Sequence, residues 1–171
     1  MKIVAIGGGI TYKDEKGLWK CSFDSSIERI IELSNKTTPN VLILSHASPN
    51  SFEEKQSSSI ISLVFEYFGC NTKILLSDEL TEKNKCQDYV EWADIIYENG
   101  GDTLKMIELW NKTAFSTLLI SANDNNKVLC GQSAGANCWF SHFNSIKNNH
   151  SFNGNGLSLI DAYYVPHAVR P

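Results

Sequence analysis

Five short apolar runs recur along this 171-residue chain and constrain its fold more than any other feature. They lie at residues 2–6, 41–44, 72–76, 93–97 and 127–130. The second, Val41-Leu42-Ile43-Leu44, is continuous rather than alternating, the pattern of a strand covered on both faces of a parallel sheet. Helical periodicity fills the gaps. Ser25-x-x-Glu28 reads as a capping box ahead of a face made by Ile27, Ile30, Ile31 and Leu33. A long helix over 52–68 turns Ile60, Ile61, Leu63, Val64 and Phe68 inward and stops at Gly69. A charged surface helix is expected within 78–92. A further helix begins at Asp102 or Thr103 and carries Met106, Ile107, Leu109 and Trp110, and another covers 114–122. Residues 11–23 read as a loop, and no hairpin signal stands out. Strands that alternate with helices in this way predict an α/β fold, a parallel sheet with helices on both faces.

Composition narrows the function. Hydrophobic content of 42% and charge of 20% suit one globular domain over 1–171. A net charge of −4 without a basic stripe argues against a nucleic-acid partner. No apolar run approaches the roughly 18 residues that span a membrane. The first run is too short for a signal peptide. The five cysteines are scattered without a Cys-x-x-Cys pair, so they read as reduced thiols of a cytoplasmic protein, with neither disulfide nor metal site. Neither a repeat nor a linker interrupts the chain, and no cofactor is expected.

Chemistry concentrates where the last apolar run meets Gly131-Gln132-Ser133-Ala134-Gly135. Gly-x-Ser-x-Gly between a strand and a helix is the layout of a nucleophile elbow, a tight turn that lifts a serine hydroxyl off the sheet. Glycines flank the serine because backbone meets backbone there. Gly100-Gly101, ahead of a helix start, can present bare N–H groups of the kind that build an oxyanion hole. Gly7-Gly8-Gly9 lacks phosphate-loop spacing and reads as a turn at the sheet edge.

A serine hydroxyl needs a general base. His142, nine residues along the expected helix, would lie ~13 Å from Ser133 along its axis. His150 sits in a polar run and reads as solvated. His46 follows the second strand on the correct edge. His167 is delivered by the run 162–165 and Pro166, and is favoured over His46. No acid partner stands out: Asp161 would lie ~20 Å from His167 on an extended strand, and Glu98 and Asp102 are the other acids near the site. Arg170 could grip a substrate carboxylate bidentately, although an ordinary surface arginine fits the sequence as well.

Three motifs in order, Ile96-Tyr97-Glu98-Asn99-Gly100-Gly101-Asp102-Thr103, Gly131 through Asn137, and Gly156-Leu157-Ser158-Leu159-Ile160 with Val165-Pro166-His167, resemble peptidase family S51. Dipeptidase E (α-aspartyl dipeptidase) and cyanophycinase belong to that family. The resemblance implies a three-layer, flavodoxin-like sheet of the class I glutamine amidotransferase kind, with serine in place of cysteine. It implies Ser133 as nucleophile, His167 as base, and the amides of Ala134 and Gly101, with Gly100 a further candidate, as oxyanion hole. It implies a small peptide substrate, of Asp-X type in dipeptidase E, and no metal. Asn99 stands where the family has another glycine and is expected to narrow the pocket. Asn99, His46 and Arg170 are the candidate substrate contacts. The family chain continues beyond its histidine motif and draws its acid from there, so this domain is expected to lack those C-terminal elements. An exposed edge would then favour a homodimer.

Two rival readings remain. An α/β-hydrolase esterase shares the elbow but needs the order Ser, acid, His and a longer tail. A catalytically impaired relative would keep the fold as a binding protein.

Overall fold

The computed structural model describes residues 1–147 and 150–167, with the side chains of Ile146, Lys147 and His150 excepted. Arg170 and the rest of 168–171 lie outside the described residues.

In chain order the elements are β1 (Lys2–Ile6), β2 (Thr11–Lys13), β3 (Trp19–Cys21), α1 (Asp24–Ser34), β4 (Asn40–Leu44), α2 (Ser51–Tyr67), β5 (Asn71–Ile74), a 3-10 turn (Ser77–Thr81), α3 (Lys83–Trp92), β6 (Ile95–Glu98), α4 (Thr103–Thr113), α5 (Phe115–Asp124), β7 (Val128–Gln132), α6 (Ala134–Asn137), β8 (Phe140–Lys147), β9 (His150–Asn155) and β10 (Ile160–Tyr164). The main sheet has the order β1-β7-β6-β4-β5 and every pairing in it is parallel.

Successive strand residues feed two separate cores. Val41, Ile43, Ile95, Tyr97, Val128 and Cys130 pack with Ile27 and Ile30 of α1 and Ile61, Val64 and Phe65 of α2. Leu42, Leu44, Ile96 and Leu129 pack with α3, α4 and α5 through Val90, Met106, Trp110, Phe115 and Leu119. The result is the expected three-layer α/β fold, helices on both faces of a parallel sheet.

Several local expectations are corrected. Residues 11–23 are not a plain loop: β2 and β3 form an antiparallel hairpin. The Ser25–Glu28 capping box does not form, because α1 starts at Asp24 behind Phe23 without a side-chain cap. The Asp24 carboxylate is engaged instead by the Cys21 amide and thiol, at 3.2 and 3.0 Å. Leu63 faces solvent and Phe65 takes the inward position on α2. The helix after the elbow has only one turn, so His142 lies not on it but on β8. The aromatic residues Phe140 and Phe143 favour strand there, and β8 pairs antiparallel with β9 and parallel with β10.

Candidate active site

Ser133 occupies the corner between β7 and α6 with φ 53° and ψ −110°, a conformation that L-residues seldom adopt. Such a backbone costs on the order of 1–3 kcal/mol and persists only where its surroundings enforce it. Here they do. The Ser133 amide donates to Ile6 O at 2.9 Å, and its carbonyl accepts from Ala136 and Asn137. The flanking glycines are obligatory. A Cβ on Gly135 would lie 2.1 Å from the Glu98 carbonyl oxygen, and one on Gly131 would lie 2.3 Å from that of Gly135.

His167 reaches Ser133 from the end of β10. Phe140 stacks on Tyr164 at 4.5 Å between centroids, which ties that end of β10 to β8. The His167 amide then donates to Gly7 O at 2.9 Å. Its ring lies over Gly8, where a Cβ would be 2.5 Å from Nδ1. Nε2 stands 2.8 Å from Ser133 Oγ, the reach a nucleophile–base pair requires. Sequence reasoning left the glycine triplet as a turn of unspecified purpose. Gly8 is the floor of the imidazole seat, and the only signal was the position of the triplet at the end of β1.

The segment between β6 and α4 closes the other side. Asn99 N donates to Leu44 O at 3.0 Å and Asp102 N to Ala47 O at 2.7 Å. The Asp102 side chain caps α4 by accepting from Lys105 N at 3.1 Å. The Gly100 amide, a candidate oxyanion donor, is already taken by Asn99 Oδ1 at 3.0 Å. Among the described residues no hydrogen bond takes up the amides of Gly101 or Ala134. These two remain open for a developing negative charge. A cavity of about 520 Å³ opens beside Gly101, lined by Ser48, Glu53, Gln56, Asn99, Gly100 and Gln132 among others. Its size is in the range of small-molecule sites. Asn99 lines this cavity.

His46 is not part of this surface, which corrects its reading as second base or substrate contact. It is 1% exposed. Its Nε2–H donates to Leu75 O at 2.9 Å, and Nδ1 accepts from Trp110 Nε1–H at 2.8 Å. Burial lowers its pKa to about 4, so the ring is neutral at pH 7. Its Nδ1 stands 3.9 Å from Glu98 Oε2, but a nitrogen already accepting a hydrogen bond forms no ion pair. Burial pushes the Glu98 carboxyl well above the usual range, with the amide of Ala47 opposing the shift.

No described carboxylate meets His167 Nδ1. Asp161 is exposed and accepts from Ser141 on the neighbouring strand, and Glu98 lies beneath the site. His142 is exposed against Asn155 at 2.9 Å. All five cysteines are buried and free, and burial drives the Cys130 and Cys138 thiols upward. Among the described residues no group of three or more His, Cys, Asp or Glu could hold a metal ion, and no helix is long and apolar enough to cross a membrane.

Comparisons with known proteins agree with this architecture. The chain is 30% identical over 139 residues to the uncharacterized peptidase YgaJ of Bacillus subtilis (strain 168), covering 81% of this chain and 56% of that protein. It therefore spans about half the length of the curated relative it matches. A crystal structure of a peptidase from an acI-B1 Actinobacterium superposes with a TM-score of 0.69 at 18% identity, over 93% of this chain and 64% of that one. A peptidase E candidate from Listeria monocytogenes EGD-e gives 0.62 at 17% identity, over 94% and 76%. The model of peptidase family S51 matches residues 3–171, so a strained serine elbow, an adjoining histidine and a parallel sheet here belong to a chain that is a member of peptidase family S51.

Proposed function

We propose that this chain is a serine-type peptidase that cleaves short peptides through an acyl-enzyme on Ser133. The observation that carries the reading is the 2.8 Å approach of His167 Nε2 to Ser133 Oγ on a strained elbow. Ser133 Oγ attacks the peptide carbonyl carbon as its proton passes to His167 Nε2. The carbonyl oxygen gains negative charge and takes hydrogen bonds from the Gly101 and Ala134 amides. The intermediate collapses, the C–N bond breaks, and His167 returns the proton to the leaving amine. Water then adds to the ester carbonyl, giving up a proton to His167, and the acid leaves as Ser133 recovers its hydrogen. The cavity beside Gly100 and Gln132 accommodates the peptide.

The test is labelling with a fluorophosphonate probe alongside hydrolysis of a dipeptide panel that includes Asp-X members. A stoichiometric adduct on Ser133, abolished in Ser133→Ala and slowed in His167→Gln, supports the reading. An absent adduct in folded protein overturns it. One observation favours a second reading, a peptide-binding relative with little turnover: among the described residues no carboxylate reaches His167 Nδ1. A missing orienting acid typically costs ~10⁴-fold in rate. Peptide binding without adduct or product identifies that case.

A further inference from the structure

Both open amides of the site trace back to one buried residue, Glu98. Its main chain lies against the elbow: the Glu98 carbonyl oxygen fills the space that a Cβ on Gly135 or Gly131 would need, at 2.1 and 2.7 Å. The elbow therefore cannot shift toward β6, and the Ala134 amide keeps its direction. The Glu98 side chain faces the turn after β4. Its Oε1 accepts from the Ala47 amide at 3.3 Å, and the backbone amides of His46 and Asn99 also face the carboxyl. Ala47 in turn holds the glycine segment. Its carbonyl accepts from Asp102 N at 2.7 Å and sits where a Cβ on Gly101 would come within 2.1 Å. A path of direct contacts thus runs from Glu98 through Ala47 to the Gly101 amide, and a second runs from Glu98 through Gly135 to the Ala134 amide.

The arrangement is unusual for a glutamate. The residue is wholly buried, and among the described residues its Oε2 has no hydrogen-bond partner. A buried polar atom without a partner costs about 1–3 kcal/mol. An apolar residue would fill the same space without that cost, so packing alone does not account for a carboxyl group here. We infer that Glu98 is a positioning residue whose carboxyl, through the Ala47 amide, sets the Gly101 donor against an elbow that the Glu98 main-chain carbonyl already holds. It touches neither nucleophile nor substrate. The inference rests on the serine-peptidase reading above.

The experiment compares Glu98→Gln, Glu98→Leu and Glu98→Asn in the full chain. Gln keeps an acceptor of the same reach for the Ala47 amide, Leu removes it, and Asn falls one methylene short. The expected outcome is a fluorophosphonate labelling rate, and a kcat for any peptide turned over, reduced about 10- to 100-fold in Leu and Asn. KM stays near the wild-type value and most of the rate is retained in Gln. A misplacement near 1 Å has that scale of effect. Thermal unfolding confirms which variants are folded, and Asn keeps the test decisive if Leu does not fold. Wild-type labelling rates in both Leu and Asn, a loss confined to KM, or a Gln variant as slow as Leu overturns the inference alone. A wild-type chain that takes no adduct overturns the serine-peptidase reading first, and the positioning role with it.

Discussion

The imidazole of His167 has no side chain beneath it. Gly8 lies there, and the absence of a Cβ at that position lets Nε2 come within 2.8 Å of the serine hydroxyl. Gly8→Ala would put a methyl 2.5 Å from Nδ1, closer than the two atoms can stand. The ring must swing away, and the labelling rate of Ser133 should fall by about 10²-fold, the scale expected for a misplaced reacting group. The fold should survive, because the clash is relieved by an exposed side chain. A Gly8→Ala protein that labels at the wild-type rate would show that the ring is held elsewhere. His46 is the opposite case, a histidine with both nitrogens engaged inside the core. Each follows a strand-like run, and the sequence favours His167 with His46 second. The packing adds that His46 is sealed in the core while His167 meets Ser133.

At the scale of elements, the elbow works because a strand and a helix meet with almost no space between them. β7 contributes Gly131, α6 contributes Gly135, and the end of β6 closes against both. Gly135→Ala would force a methyl to 2.1 Å from a backbone oxygen that cannot rotate away. The expected loss is about 1–3 kcal/mol, typical of overpacking, together with a loss of Ser133 labelling, and urea unfolding measures the first. A variant as stable as the wild type would mean that β6 and the elbow can separate. This motif was legible in the sequence because the steric rule is local: two glycines around a serine between an apolar run and small residues. The one-turn length of α6 was not legible. Ala134, Ala136 and Asn137 suit a longer helix, and the switch to β8 depends on partners as distant as β9 and β10.

For the whole molecule, pH couples to folding through the core that α4 and α5 make with the sheet. His46 sits there among Trp110 and Phe115 and resists protonation, its pKa lowered from 6.5 to about 4 by burial. The unfolded chain binds a proton at His46 in that interval and the folded chain does not. Stability from this group is complete above pH 6.5 and is lost as pH falls toward 4. The loss amounts to about 3 kcal/mol. Glu98 acts with the reverse sign: the folded state keeps its proton where the unfolded state has released it, so its contribution declines as pH rises above the ordinary value of 4.5. Urea unfolding from pH 7 to pH 4 should show a steeper acid decline in the wild type than in His46→Gln. Equal slopes in the two proteins would exclude His46 as the cause.

The sequence by itself determined the class of fold and the position of the serine elbow. Both follow from short-range rules: apolar runs too short for helices, helical faces between them, and a turn that tolerates no Cβ on either side of Ser133. The strand order, the two hairpins, the burial of His46 and the contact of His167 with Ser133 came only with the tertiary structure. These depend on which distant surfaces bury one another. The pairing of β10 with β8 brings residue 167 to residue 133, and α4 covers residue 46 with Trp110. Local propensity carries no record of either contact, because each joins segments more than thirty residues apart.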